Sequence, residues 1–220
     1  MRRGLFAALL AVLLLAVYCW TLAPTLAIVA PITALLVYSA VVHYGVRAVA
    51  AADPDVLRVV AVCGALSATV FVPSILIEYT GRTVDNGITF GAVAVCCTLA
   101  GAVGAWRTRQ VRIAAYAATL SAMIASLAFV ITVLGSYSLL RGSALQDRFF
   151  RTEGDYADFA GSGMTDFNKW VIEDLFGGVF FHLLLGALIA AVLGLIAGAV
   201  VMGYLRLFKR HSPAPNSTIA

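Results

Sequence analysis

Long apolar runs separated by short polar segments set the pattern of this chain. Each run predicts a membrane-spanning helix, because about 20 apolar residues of helix cross the hydrocarbon core of a bilayer. The expected bounds of six spans are 4–23, 25–46, 57–77, 88–106, 113–140 and 177–204. The pattern therefore predicts an all-α fold, a polytopic transmembrane helical bundle that forms a single domain over residues 1–210.

The first run admits two interpretations. Arg2 and Arg3 precede it and small residues follow it, as in a cleaved signal peptide. However, its apolar part is longer than the roughly 7–15 residues of a signal sequence, and a second apolar run follows at once. We therefore expect that the first run is retained as a span.

The segment 141–176 is the longest polar stretch before the last span, and it predicts an outer loop. Thr165 is a good N-cap residue, and apolar residues at helical spacing follow it. These residues are Phe167, Trp170, Val171 and Leu175. We expect a short interfacial amphipathic helix over residues 165–176, which turns into the last span at Gly177 and Gly178.

Prolines and the chain end add two further expectations. Pro31 and Pro73 lie inside the second and third apolar runs, where a missing backbone N–H predicts a kink. Residues 211–220 are rich in proline and serine and poor in apolar side chains, so they predict a disordered cytoplasmic tail.

Composition and charge agree with the membrane class. Hydrophobic residues make up 62% of the chain and charged residues 12%, against roughly 45–50% and 25% in soluble domains. Ten of the fifteen Lys and Arg residues fall on the side that holds both chain ends. The positive-inside rule therefore predicts cytoplasmic termini in a multi-pass protein of a cell membrane, compatible with a bacterial inner membrane. The net charge of +4 reflects this topology and does not predict nucleic-acid binding.

The last apolar run carries a ridge of small residues at every fourth position, interrupted by one imidazole. The ridge consists of Gly178, His182, Gly186, Ala190, Gly194 and Gly198. Small residues allow close backbone approach between helices in lipid, where hydrophobicity does not draw helices together. We expect another helix to lie on this ridge, from the same chain, from a second copy in a homo-oligomer or from another membrane protein. The lipid bilayer is the remaining expected partner.

His182 defines the candidate intramembrane polar site. A buried imidazole in lipid needs a hydrogen-bond partner, and Asp174 on the same ridge is about 12 Å away along a straight helix. We therefore expect the partner on another span, with Ser74 and Glu78 on the third and Ser136 or Tyr137 on the fifth as candidates at similar depth. Three interpretations stay open: a structural hydrogen bond, a proton relay or substrate contact, and a metal site completed by carboxylates.

Sequence motifs narrow the function classes. We find no nucleotide-binding loop, zinc-protease or dinucleotide motif, so no catalytic, cofactor-binding or metal residues are assigned. No charged residue lies near the middle of a span, which disfavours a carboxylate-driven carrier. We expect a non-enzymatic bundle with a structural, partner-binding or lipid-binding role. The alternative is a small permease or channel with a cavity near His182, and an intramembrane enzyme ranks third.

Overall fold

The computed structural model describes residues 1–210, and this part of the chain is helical without strands. The helices are α1 (Arg2–Leu22), α2 (Val29–Ala52), α3 (Pro54–Glu78), α4 (Asn86–Thr108), α5 (Val111–Leu139), α6 (Ala144–Glu153), α7 (Asp155–Ser162) and α8 (Phe167–Arg210). Six of them, all but α6 and α7, are long and apolar enough to cross a membrane. The predicted six-span helical bundle is thereby confirmed, while the predicted tail, 211–220, lies outside the described residues.

Short polar connections set where the spans begin and end. Asp53 caps α3 by accepting a hydrogen bond from the Asp55 amide at 2.9 Å. Asp85 caps α4 in the same way through the amide of Gly87 at 2.8 Å. Arg109 adopts a left-handed conformation with φ of 57°, which ends α4 and allows α5 to begin two residues later. Such short connections make consecutive spans run in opposite directions.

Helix α5 occupies the centre of the bundle. It contacts all five other spanning helices, and 67% of its most apolar stretch is buried. The corresponding fraction in the other spans lies between 22% and 39%. Its buried face is built from small and apolar side chains, with Ala117, Leu120 and Met123 fully covered. The other helices therefore pack around α5, with their remaining surfaces facing outward.

The packed end of the bundle is where α4, α5 and α8 approach at Gly101, Gly194 and Gly198. A Cβ atom added to Gly194 would lie 2.6 Å from the carbonyl oxygen of Ala114, and one on Gly101 would lie 3.0 Å from Gly194 Cα. Only glycine allows helix backbones to come this close. The expected helix against the small-residue ridge is thus α5 of the same chain over this half.

The opposite end of the bundle carries the short helices α6 and α7, which we call the cap. We refer to this end as the capped end. Hydrogen bonds join the part of α8 near this end to the α1–α2 connection and to α2. Thr25 donates to Glu173 at 2.5 Å, and the Tyr38 hydroxyl donates to the carbonyl oxygen of Leu183. Tyr38 is fully buried, so its bond joins α2 to α8 inside the bundle. These polar contacts add to the burial of Ile172, Phe176 and Leu183, which pack α8 into the core at this end.

Two predicted interruptions of helices are absent from the structure. The predicted turn at Gly177 and Gly178 does not occur, because α8 continues through both glycines. Inside a membrane a break would leave backbone groups unpaired, which costs more than the roughly 1 kcal/mol of a glycine in a helix. The short amphipathic helices before the last span are instead α6 and α7. The predicted kink at Pro31 is also absent as an interior break, because Pro31 lies in the first turn of α2, where no helical hydrogen bond is lost.

Candidate functional site

A groove of about 360 Å³ lies among α3, α4, α5 and α8, in the half of the bundle nearer to the capped end. Four phenylalanine rings and one imidazole contribute to its lining: Phe71, Phe90, Phe129, Phe181 and His182. The other polar side chains that line it are Ser126 and Cys97. We call this feature the His182 groove. Its chemistry is apolar and aromatic, with a few isolated polar atoms.

The small residues of the ridge meet different surroundings along α8, and only some of them line the groove. At Gly194 an added Cβ would lie 2.6 Å from the α5 backbone. At Gly186 the nearest atom to an added Cβ would be Ser126 Oγ at 3.4 Å, and at Gly178 there is nothing within 4 Å. The ridge therefore passes from the packed face of α8 at Gly194, past the groove at Gly186, to an exposed position at Gly178.

His182 is held among aromatic rings. Its imidazole stacks on Phe129 with ring centroids 4.4 Å apart, and Phe90 is roughly parallel to it at 6.0 Å. Phe181 meets the imidazole edge-on at 5.7 Å. Phe71 packs against both Phe90 and Phe129, so these rings support each other. The aromatic contacts fix the plane of the imidazole in the groove.

The hydrogen bond of His182 corrects the expectation of a partner on another span. Nδ1 lies 2.8 Å from the carbonyl oxygen of Gly178, one turn earlier in the same helix. A carbonyl oxygen only accepts, so Nδ1 carries the proton in this contact. In the imidazole tautomer that carries its proton on Nδ1, Nε2 is a hydrogen-bond acceptor. The residue can accept one hydrogen bond from a molecule in the groove.

The other predicted site residues do not converge on His182. Ser74 donates to the carbonyl oxygen of Phe71 at 2.7 Å, within its own helix. Glu78 and Tyr137 line a second cavity of about 170 Å³ near the capped end. Asp174 is exposed at the start of α8 and interacts electrostatically with Asp155 and Asp158 of the cap. The sequence-based site is therefore distributed over four places.

The cap concentrates like charges beside aromatic rings. Burial, together with the nearby carboxylates of Asp174, Glu153 and Asp158, raises the pKa of Asp155 to about 7. Tyr156 stacks on Phe167 at 4.8 Å, which joins α7 to the start of α8. Docking of the cap thus combines aromatic contact with a carboxyl group that favours its neutral form.

The aromatic residues of the groove were missed by the sequence interpretation. Phe90, Phe129 and Phe181 belong to three different helices, so no spacing within one run connects them. Each also fits the apolar pattern of an ordinary span. Their convergence depends on the relative register of α4, α5 and α8, which the tight glycine contacts determine. A phenylalanine adjacent to His182 was the one signal available in the sequence.

Metal and redox chemistry find little support in the side chains described. Among residues 1–208, no group of three or more His, Cys, Asp or Glu side chains is placed to hold a metal ion. The four cysteines are free and form no disulfide.

Comparison with protein-family models, with curated proteins and with solved structures found no match to this chain.

Proposed function

We propose that this integral membrane protein is a non-enzymatic bundle that binds an apolar molecule from the bilayer in the His182 groove. The observation that carries the proposal is the groove itself. Small-molecule sites are concave, enclose about 300–1,000 Å³ and combine apolar walls with a few polar groups. The His182 groove has this size and this composition.

The position of the groove supports entry from the lipid. It is lined by residues of four helices that are apolar enough to span a membrane. Phe181 is 58% exposed and Ile189 is 49% exposed, and both line the groove. An exposed side chain on the membrane-embedded part of a helix faces acyl chains. A hydrophobic molecule can therefore reach the groove sideways, without crossing the aqueous phase.

The chemistry of the lining favours a long apolar ligand with at most one donor group. No Asp, Glu, Lys or Arg lines the groove, so an ion would have no compensating charge. The phenylalanine rings offer wide apolar surfaces, and His182 Nε2 can accept one hydrogen bond. A lipid acyl chain or an isoprenoid with a hydroxyl end meets these conditions. We place this role in a cell membrane with cytoplasmic termini, on the basis of the charge distribution.

A photocrosslinking experiment tests the proposal. The protein is reconstituted in nanodiscs that contain a fatty acid with a diazirine near its end, and the crosslinks are mapped by mass spectrometry. We expect labelling of residues that line the groove, with Phe129 and Phe181 as the key positions. Ala94→Trp should fill the groove and remove this labelling. Uniform labelling of every exposed span would contradict the proposal.

Val95→Trp is the matched control for Ala94→Trp. Val95 is the next residue on α4, is exposed and does not line the groove. The two variants add a tryptophan at adjacent positions of one helix, so a general effect on the bundle should appear in both. Loss of labelling in both variants, or in neither, would argue against a specific groove site.

A small permease is the second candidate function, and the cavity beside His182 is the observation that favours it. In this case the groove would be part of a path through the bundle, and His182 would contact the transported molecule. The rate at which the transported molecule enters proteoliposomes should then be lower for the His182→Ala variant. Flux that does not respond to this change would remove the role of His182 in transport.

A further inference from the structure

A second cavity, which we call the Glu78 cavity, lies where α3, α5, α6 and α8 meet at the capped end. Its volume is about 170 Å³. Five aromatic rings contribute to its walls, together with one carboxylate at the end of α3. These residues are Glu78, Tyr79, Phe129, Tyr137, Phe149 and Phe150. It is separate from the His182 groove, although Phe129 lines both.

The aromatic walls of the Glu78 cavity are fixed in place. Tyr79 and Phe149 stack with their centroids 4.4 Å apart and an angle of 17° between the rings. Tyr137 is only 3% exposed, and Tyr79 and Phe150 are also buried. Phe149 lies at an angle to Phe150 at 6.1 Å. A ligand in this cavity would meet ring surfaces that are already ordered.

The charge of the Glu78 cavity is not balanced by a neighbouring cation. Glu78 forms no ion pair among the side chains described, and the charge that acts on it is another carboxylate, Glu153. Arg148 lies beside Gly81, which is three residues after Glu78. None of the ion pairs among the described residues joins Arg148 to Glu78. A partly buried carboxylate among aromatic rings attracts a positive ligand.

We propose that the Glu78 cavity binds an organic ammonium group, such as a quaternary trimethylammonium. The negative faces of aromatic rings attract a cation that is large and weakly hydrated, and a cage of several rings with a carboxylate is the arrangement that recognises it. A metal ion fits poorly, because the lining offers one carboxylate and mostly apolar surface. A purely apolar ligand would leave Glu78 without a partner. The cavity is also smaller than the roughly 300–1,000 Å³ of drug-sized sites, which suits a headgroup.

The ammonium group has two sources at this position. It can be the choline headgroup of a phospholipid, or a small free cation that enters from the aqueous side. Both present the same chemistry to the rings and to Glu78. This site does not depend on the apolar ligand of the His182 groove, so failure of crosslinking in the groove would leave it unaffected.

Binding of tetramethylammonium to the full chain in nanodiscs of phosphatidylglycerol tests the proposal. Saturation-transfer NMR of the methyl signal gives the dissociation constant, with empty nanodiscs as the blank. We expect saturable binding that Glu78→Gln weakens by about tenfold, since it removes the charge and keeps the shape. Phe149→Leu should weaken binding several-fold, because it removes one ring of the stacked pair.

Asp158→Asn is the control for a general effect of negative charge at the capped end. Asp158 is exposed on α7 and does not line the Glu78 cavity. Its binding should equal that of the unchanged protein. Equal binding by all variants, or an equal loss in all three, would overturn the proposal, as would the absence of saturable binding. Size-exclusion profiles identify a misfolded variant, and Phe149→Leu decides the outcome if Glu78→Gln does not fold.

Nanodiscs of phosphatidylcholine distinguish the two sources of the cation. If the headgroup is the natural ligand, the apparent affinity for tetramethylammonium should fall in these discs. If a free cation is the ligand, the affinity should be the same in both lipids. Either result supports the site and identifies its source, whereas absence of binding in both lipids contradicts it.

Discussion

The two ends of the bundle use the same kind of helix surface for different purposes. At the packed end, Gly194 and Gly198 allow α8 to lie directly against the backbone of α5. At the capped end, Gly178 of the same ridge has nothing within 4 Å, and cavities lie among aromatic rings. A ridge of small residues therefore permits close packing but does not by itself produce it.

The partner surface on α5 makes the difference. Opposite Gly194 are Ala114 and Ala118, whose small side chains let the two backbones approach. Nearer to the capped end, Ser126 of α5 lies beside Gly186, and the ring of Phe129 stacks on His182. Open space lies beside these two rings. Close approach needs small residues on both helices at the same level.

Substitution of the two glycines should give the largest contrast between the ends. Gly194→Ala places a methyl group 2.6 Å from a backbone oxygen, so we expect a loss of about 1–3 kcal/mol in the free energy of unfolding. Gly178→Ala meets open space and should be neutral or stabilising by up to about 1 kcal/mol, since alanine favours helix. Unfolding in detergent measures both values. Equal losses in the two variants would contradict the difference between the ends.

Removal of a single hydrogen bond near the capped end of α8 should have a smaller effect on the free energy of unfolding. Tyr38→Phe deletes the hydroxyl that donates to Leu183 and changes the shape very little. The carbonyl oxygen keeps its bond within α8, so we expect a loss of about 0.5–1.5 kcal/mol. The same unfolding measurement applies, with Tyr44→Phe on the exposed face of α2 as the control. A loss as large as that of Gly194→Ala would show that this end is packed as tightly as the other.

The smallest expected effect is a pH dependence confined to the cap. In the folded protein the pKa of Asp155 is raised from 3.8 to about 7, so the docked cap binds this proton more tightly than the undocked cap. Docking should therefore weaken as the pH rises from about 4 to 7 and level off above it. Hydrogen exchange of α7 amides should report this trend, and Asp155→Asn should abolish it. A matching trend in α5 would mean that the whole bundle responds.

The spans were predictable because their apolar runs are long and the bilayer permits few alternatives to a helix. The ridge on the last span was likewise visible, since it depends on spacing within one helix. What could not be predicted was which half of that ridge packs, because its contacts, Ala114 and Ala118, lie on another helix. The partner of His182 was misplaced for a related reason. In a helix the carbonyl of Gly178, one turn away, is always within reach, whereas a partner on another span depends on register.

The central position of α5 has a consequence for how this protein is made. Helices are synthesised in chain order, and α1 to α4 leave the ribosome before the helix that all of them contact. Until α5 arrives, their inward faces are surrounded by lipid or by each other. The two-residue connection at Arg109 then delivers α5 directly beside α4. The contacts of α1 to α4 with α5 can therefore form only after the fifth span has been inserted.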